Sequence, residues 1–278
     1  FFARWTDAFT RDRLWDKLTM PLENQPLNPN GEPILVVSGE IFEDGSSVKF
    51  DPFLTGFGAP TGEPEPDANE NFEVEILDSN AQSLLAYRVK PALFSIEGQN
   101  VFELSAAIPF PSGANRIIVK RNGFQVFEKI VSESTPVATI NSVNETGNDL
   151  FSVDWSATDA DNDEMFYSVE YTHNGADFKP VVLSQQYTGG AFDFNAQAYY
   201  AGSQSAFLRF TVTDGVNTAT ADTNTFVVSN KGPIALIISP KSGAELDANS
   251  TVRLEGFGSD EEDGFLPDES FSWSDSQN

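Results

Sequence analysis

The chain has 278 residues, enough for two or three sandwich-sized units of about 100 residues each. Sixteen Lys and Arg stand against 42 Asp and Glu, a net charge of −26 that repels nucleic-acid phosphates and anionic membrane surfaces, so nucleic acid and membrane insertion are excluded as expectations. An apolar fraction of 40% with 24 Phe supplies core material and excludes disorder as the account of the charge, and the absence of Cys excludes disulfides, thiolate metal sites and cysteine nucleophiles.

In chain order, Trp5, Phe9, Trp15 and Leu18 recur at helical spacing between charged residues, which predicts a short amphipathic helix. The Pro- and Asn-rich stretch that follows, Met20 to Gly31, reads as a linker, so 1–30 is taken as helix plus linker. Seven apolar or alternating runs come next, at 34–38, 48–50, 72–77, 84–89, 102–106, 117–120 and 124–130. Their spacing predicts an antiparallel β-sandwich over 31–134, with Asn122-Gly123 as a tight hairpin turn and 58–71 as a surface loop. Seven more runs, at 137–140, 151–156, 165–171, 178–183, 191–194, 206–213 and 218–228, predict a second sandwich over 135–231, with Asn174-Gly175 and Asp214-Gly215 as hairpin turns. Runs at 234–239, 251–255 and 271–274 predict a partial third module over 232–278. Phe1 stands where an initiator Met would, and the last residues stop in a strand-like run, so both ends read as cut from a longer chain. The fold class expected is therefore all-β, tandem antiparallel sandwiches with a short N-terminal helix.

A weak internal repeat joins the second and third units. Val153-Asp154-Trp155-Ser156-Ala157-Thr158-Asp159-Ala160-Asp161 is a strand running into an acidic loop, followed by the aromatic strand Tyr167-Ser168-Val169-Glu170-Tyr171. Leu254-Glu255-Gly256-Phe257-Gly258-Ser259-Asp260-Glu261-Glu262-Asp263-Gly264, followed by Trp273, repeats the arrangement. With Phe210-Thr211-Val212-Thr213-Asp214-Gly215, these segments resemble the immunoglobulin-like, fibronectin type III and PKD-type modules of bacterial extracellular proteins. That resemblance implies a secreted or cell-surface protein with further domains on the same polypeptide. A second resemblance sits at the start: Arg4-Trp5-Thr6-Asp7-Ala8-Phe9-Thr10 is similar to the Trp-rich helix that closes some bacterial surface metallopeptidase domains, which implies a zinc peptidase domain upstream.

The chemistry legible in the residues is sparse. Zinc hydrolysis needs two or three imidazoles, and His173 is the single histidine, so no zinc site and no catalytic residue is expected in this chain. Its place beside Asn174-Gly175 makes it a turn residue. The 42 acids offer too many carboxylate pairs for any one to signal glycoside hydrolysis. Asp159, Asp161 and Asp163 alternate, and hard oxygen ligands two residues apart converge on one cation when a turn curls them inward, so calcium is the expected cofactor. Glu164 stands where an EF-hand loop requires Gly, which rejects that motif. Asp260 and Asp263, in the acidic run of the third unit, are the matching candidates there. Tyr199 and Tyr200 precede an Ala-Gly-Ser turn and are the candidates for an exposed aromatic ligand platform, whereas Trp155 shares a strand face with Val153 and is expected in the core. Three functions follow: a non-catalytic structural and interaction region that spaces or presents another domain, a carbohydrate-binding or adhesive module with glycan or protein partners, or the C-terminal part of a secreted zinc metallopeptidase.

Overall fold

The computed structural model describes residues 31–66, 70–96, 98–197, 200–245, 247 and 251–274, and the expected helix and linker of 1–30 lie outside them. The fold is all-β. Strands β1 (Glu32–Phe42), β2 (Val48–Phe50), β3 (Leu54–Gly58), β6 (Ala92–Ile96) and β7 (Gln99–Pro109) make one antiparallel sheet in the order β2-β1-β7-β6, with β3 also paired to β1. Strands β4 (Phe72–Leu77), β5 (Ser83–Val89), β8 (Arg116–Arg121) and β9 (Phe124–Ile130) make the other, in the order β5-β4-β8-β9. Period-two alternation explains the packing. In β4, Phe72, Val74 and Ile76 are buried while Glu73 and Glu75 turn outward to Lys120, with oxygens 3.6 and 2.6 Å from its Nζ. The inward residues meet Leu35, Val37, Leu104 and Ile108 of the opposite sheet in one apolar cluster. At Asn122-Gly123 both residues take positive φ, 51° and 81°, as a two-residue hairpin joining β8 to β9 requires.

A second pair of sheets follows. Strands β10 (Val137–Gly147), β11 (Leu150–Thr158) and β14 (Ala191–Asn195) form one. The other has the order β13-β12-β15-β16, from β12 (Phe166–Thr172), β13 (Phe178–Gln186), β15 (Ser203–Thr213) and β16 (Thr218–Asp222); β17 (Phe226–Val228) pairs with the start of β15. Trp155 is in the core, 1% exposed, with Tyr167, Tyr187 and Phe210 around it at ring-centroid distances of 5.0, 5.0 and 4.8 Å.

Three departures from the sequence reading have physical causes. Strands β3 and β6 were not anticipated: β3 carries two glycines in five residues and β6 follows a proline, both of which weaken a strand signal. The run 218–228 is two strands because Thr223 enters the ladder with its side chain; its Oγ1 accepts from the Leu208 N–H at 3.1 Å while its own N–H donates to the Leu208 carbonyl. In the third sheet, β18 (Ile234–Ser239) pairs with β19 (Glu255–Asp260) and β19 with β20 (Gly264–Phe265). Residues 251–254 and 271–274 are not strand, contrary to expectation. Instead the Trp273 and Phe271 rings lie over Gly256 and Gly258 of β19, where a Cβ would approach them to 3.0 and 2.9 Å. The third sheet buries little: Ile234, Leu236, Ile237, Ile238 and Phe265 are all at least half exposed.

Candidate functional site

The turn that joins β11 to β12 begins with Asp159. Its Oδ1 accepts the backbone N–H groups of Asp161 at 2.8 Å and Asp163 at 3.5 Å, curling the chain so that the alternating side chains converge. One oxygen from each of Asp159, Asp161 and Asp163 lies within 4.8 Å of the other two. Among the described residues this is the one group of three or more metal-ligating side chains so arranged.

The loop is tied into its surroundings. Asp161 Oδ2 accepts the Ser132 hydroxyl and the Ser134 N–H, each at 2.7 Å, and these bonds, the hydroxyl's first, hold its carboxyl below the usual carboxylate range. Asp159 Oδ2 is buried and has no hydrogen-bond partner among the described residues. Close by is Asp214, buried at the tip of the β15–β16 hairpin. Its Oδ1 accepts the N–H groups of Val216 and Asn217 at 2.8 and 2.7 Å, and its Oδ2 accepts from Asn217 Nδ2 at 2.9 Å. Burial pushes its carboxyl up against those bonds, and the charge of Asp159 pushes it further. The donor set is entirely oxygen, which suits a hard cation with six to eight oxygen ligands and not the nitrogen and sulfur preference of zinc.

The second acidic loop is arranged differently. Asp260 Oδ1 accepts the N–H groups of Glu262 at 2.9 Å and Asp263 at 3.2 Å, and Asp260 and Asp263 join no group of the kind described above among the described residues. Glu262 turns inward: its Oε1 accepts the Lys231 N–H at 2.9 Å and the Gly202 N–H. Lys231 Nζ lies 3.0 Å from Asp149 Oδ2, with both side chains nearly buried. Burial raises the Asp149 carboxyl, but the Ser229 N–H and Lys231 outweigh it and leave it below its ordinary range.

Tyr199 lies outside the described residues. Tyr200 is half-buried; it packs against Tyr171 and Phe194 at 5.1 and 4.9 Å, with Lys179 over its ring, so it belongs to the edge of the core and not to an exposed platform. His173 sits at the expected turn, where its carbonyl accepts the Ser203 hydroxyl at 2.6 Å. Sequence reasoning missed Ser132 and Ser134, which bond to Asp161, Asp214, which feels the charge of Asp159, and Asn217, which bonds to Asp214 and to the Ser132 and Ser134 carbonyls. Asp214-Gly215 was visible as a turn, but only the fold shows what its tip meets. Among the described residues no helix is long and apolar enough to cross a membrane. No family model, no curated protein and no solved structure matches the chain.

Proposed function

We propose that this chain is a non-catalytic structural and interaction region of a secreted or cell-surface bacterial protein, which spaces or presents another domain and holds calcium in the loop 159–163. The observation that carries the reading is the succession of two apolar clusters, one from each pair of sheets, joined by a linker whose backbone is held by side chains of the second unit. Such an arrangement suits holding two ends of a polypeptide apart. Calcium would neutralise three carboxylates that otherwise repel one another, and the buried, unpartnered Asp159 Oδ2 supports the same assignment.

The test is thermal unfolding of the purified chain with millimolar calcium and with chelator. Calcium is expected to raise the Tm by mass action. Asp163 contributes its backbone N–H to the loop, whereas the Asp161 carboxylate also holds the linker. Asp163→Ala should therefore abolish the calcium response with little change in the calcium-free Tm, and Asp161→Ala should lower the calcium-free Tm as well. A melting curve indifferent to calcium would remove the cation from the reading. Chelator-sensitive casein cleavage by the pure chain would overturn the non-catalytic assignment.

A further inference from the structure

The tip of the β15–β16 hairpin, residues 214–217, reaches beyond the sandwich that produces it and into the first pair of sheets. Val216 is fully buried, and the cluster it joins is that of the first pair of sheets, with Leu35, Val37, Phe53 and Ile108. Hydrogen bonds surround this insertion. Phe53 N–H donates to the Gly215 carbonyl at 3.1 Å, Thr213 Oγ1 donates to the Phe53 carbonyl at 2.9 Å, and Thr55 N–H donates to Thr218 Oγ1 at 3.0 Å. Lys129 Nζ donates to the Asp214 carbonyl at 3.1 Å. Gly215, at φ 97°, admits this approach: a Cβ there would come within 2.6 Å of the lysine nitrogen. The linker between the sandwiches is gripped from two sides, by Asn217 Nδ2 donating to the carbonyls of Ser132 and Ser134 at 3.1 and 3.0 Å, and by the Asp161 carboxylate.

We infer that this hairpin tip is a plug: it completes the first sandwich's core with a residue of the second and makes the two sandwiches one cooperative unit with no hinge at 131–136. The physical reason is that a buried side chain is lost to both partners at once. Unfolding the second sandwich withdraws Val216 and opens a void in the first, where large-to-small losses in a packed core are felt directly. It also strips partners from the backbone groups of Phe53, Thr55, Ser132 and Ser134, which then need water or another acceptor. Swinging one sandwich against the other breaks the same bonds. The inference rests on contacts between the two sandwiches and holds whether or not the acidic loop takes calcium.

Native-state hydrogen exchange on the full chain tests it, because exchange reads the stability of each region separately. Leu208 is fully buried in the second cluster alone. In Leu208→Ala, protection is expected to fall by roughly 30-fold or more in β12 and β15, and by a comparable factor in β4 and β8 of the first sandwich. Loss confined to the second sandwich, with β4 and β8 unchanged, would overturn the inference. If Leu208→Ala does not fold, Leu208→Val gives a smaller loss with the same two patterns. Val216→Ala, which shortens the plug, should lower protection in β4 and β8 although it changes a residue of the second unit; unchanged first-sandwich protection in that variant would also overturn it.

Discussion

Among single residues, Glu170 is the sharpest case of burial working against charge. It lies on β12 beside Arg209, which is committed to Asp222 through two bonds of 2.8 and 2.9 Å, so the glutamate shares a cation already taken. Its carboxyl is pushed up to about 7, by burial first and by the charge of Asp222, against the pull of Arg209. The folded state therefore keeps this proton up to a pH at which the unfolded chain, with an ordinary carboxyl, has already released it. The stabilisation is complete below the ordinary value and is lost as pH rises through 7. Glu170→Gln, which stays neutral, should leave the Tm near that of the parent at pH 5 and exceed it at pH 8. The expected gain is on the order of 1–2 kcal/mol, because the partly exposed group retains some hydration. Paired melting curves at the two pH values check it, and equal differences at both would show that the carboxyl titrates normally.

At the level of elements, glycines set where strands can meet. Gly190 precedes β14, and its carbonyl accepts the Trp155 N–H at 2.8 Å; a Cβ there would fall 1.6 Å from the Trp155 carbonyl oxygen. Both partners are backbone, so neither can swing aside. Gly190→Ala should lift β14 off β11 and cost about 2–3 kcal/mol, whereas Gly56→Ala, in open space on β3, should stay within about 0.5 kcal/mol of the parent. Denaturant midpoints of the two variants check the contrast. The close approach at Gly190 was not legible in the sequence. What was legible came from alternation and turn chemistry: β4, β9 and β18 lie at the expected bounds, as does the Asn122-Gly123 turn, because side-chain period and positive φ are local properties. Asp159, Asp161 and Asp163 were legible for the same reason, since their convergence depends on one turn. The tip at Val216 and the inward turn of Glu262 depend on contacts between segments far apart in sequence, on which period and composition are silent. The run 271–274 misled because Phe271 and Trp273 alternate like a strand but cover glycines two residues apart on β19.

For the molecule as a whole, the exposed face of β18 and the net charge of −26 act against each other. Four of the six residues of β18 are Ile or Leu, each at least half exposed, on a strand whose other edge pairs with nothing among the described residues. Such a strand invites a neighbour. Colloidal stability then rests on long-range repulsion between acidic surfaces, which reaches about 8 Å at physiological ionic strength and about 3 Å at 1 M salt. The second virial coefficient from static light scattering should accordingly fall from positive towards negative as salt rises to about 1 M. Leu236→Lys, which places a charge on the strand itself, should keep it positive. A coefficient that tracks salt identically in both proteins would show that β18 is not the sticky surface. If the strand is that surface, the acidity of the chain has a task besides ligand chemistry: it is the spacing force that keeps one molecule's bare edge from finding another's.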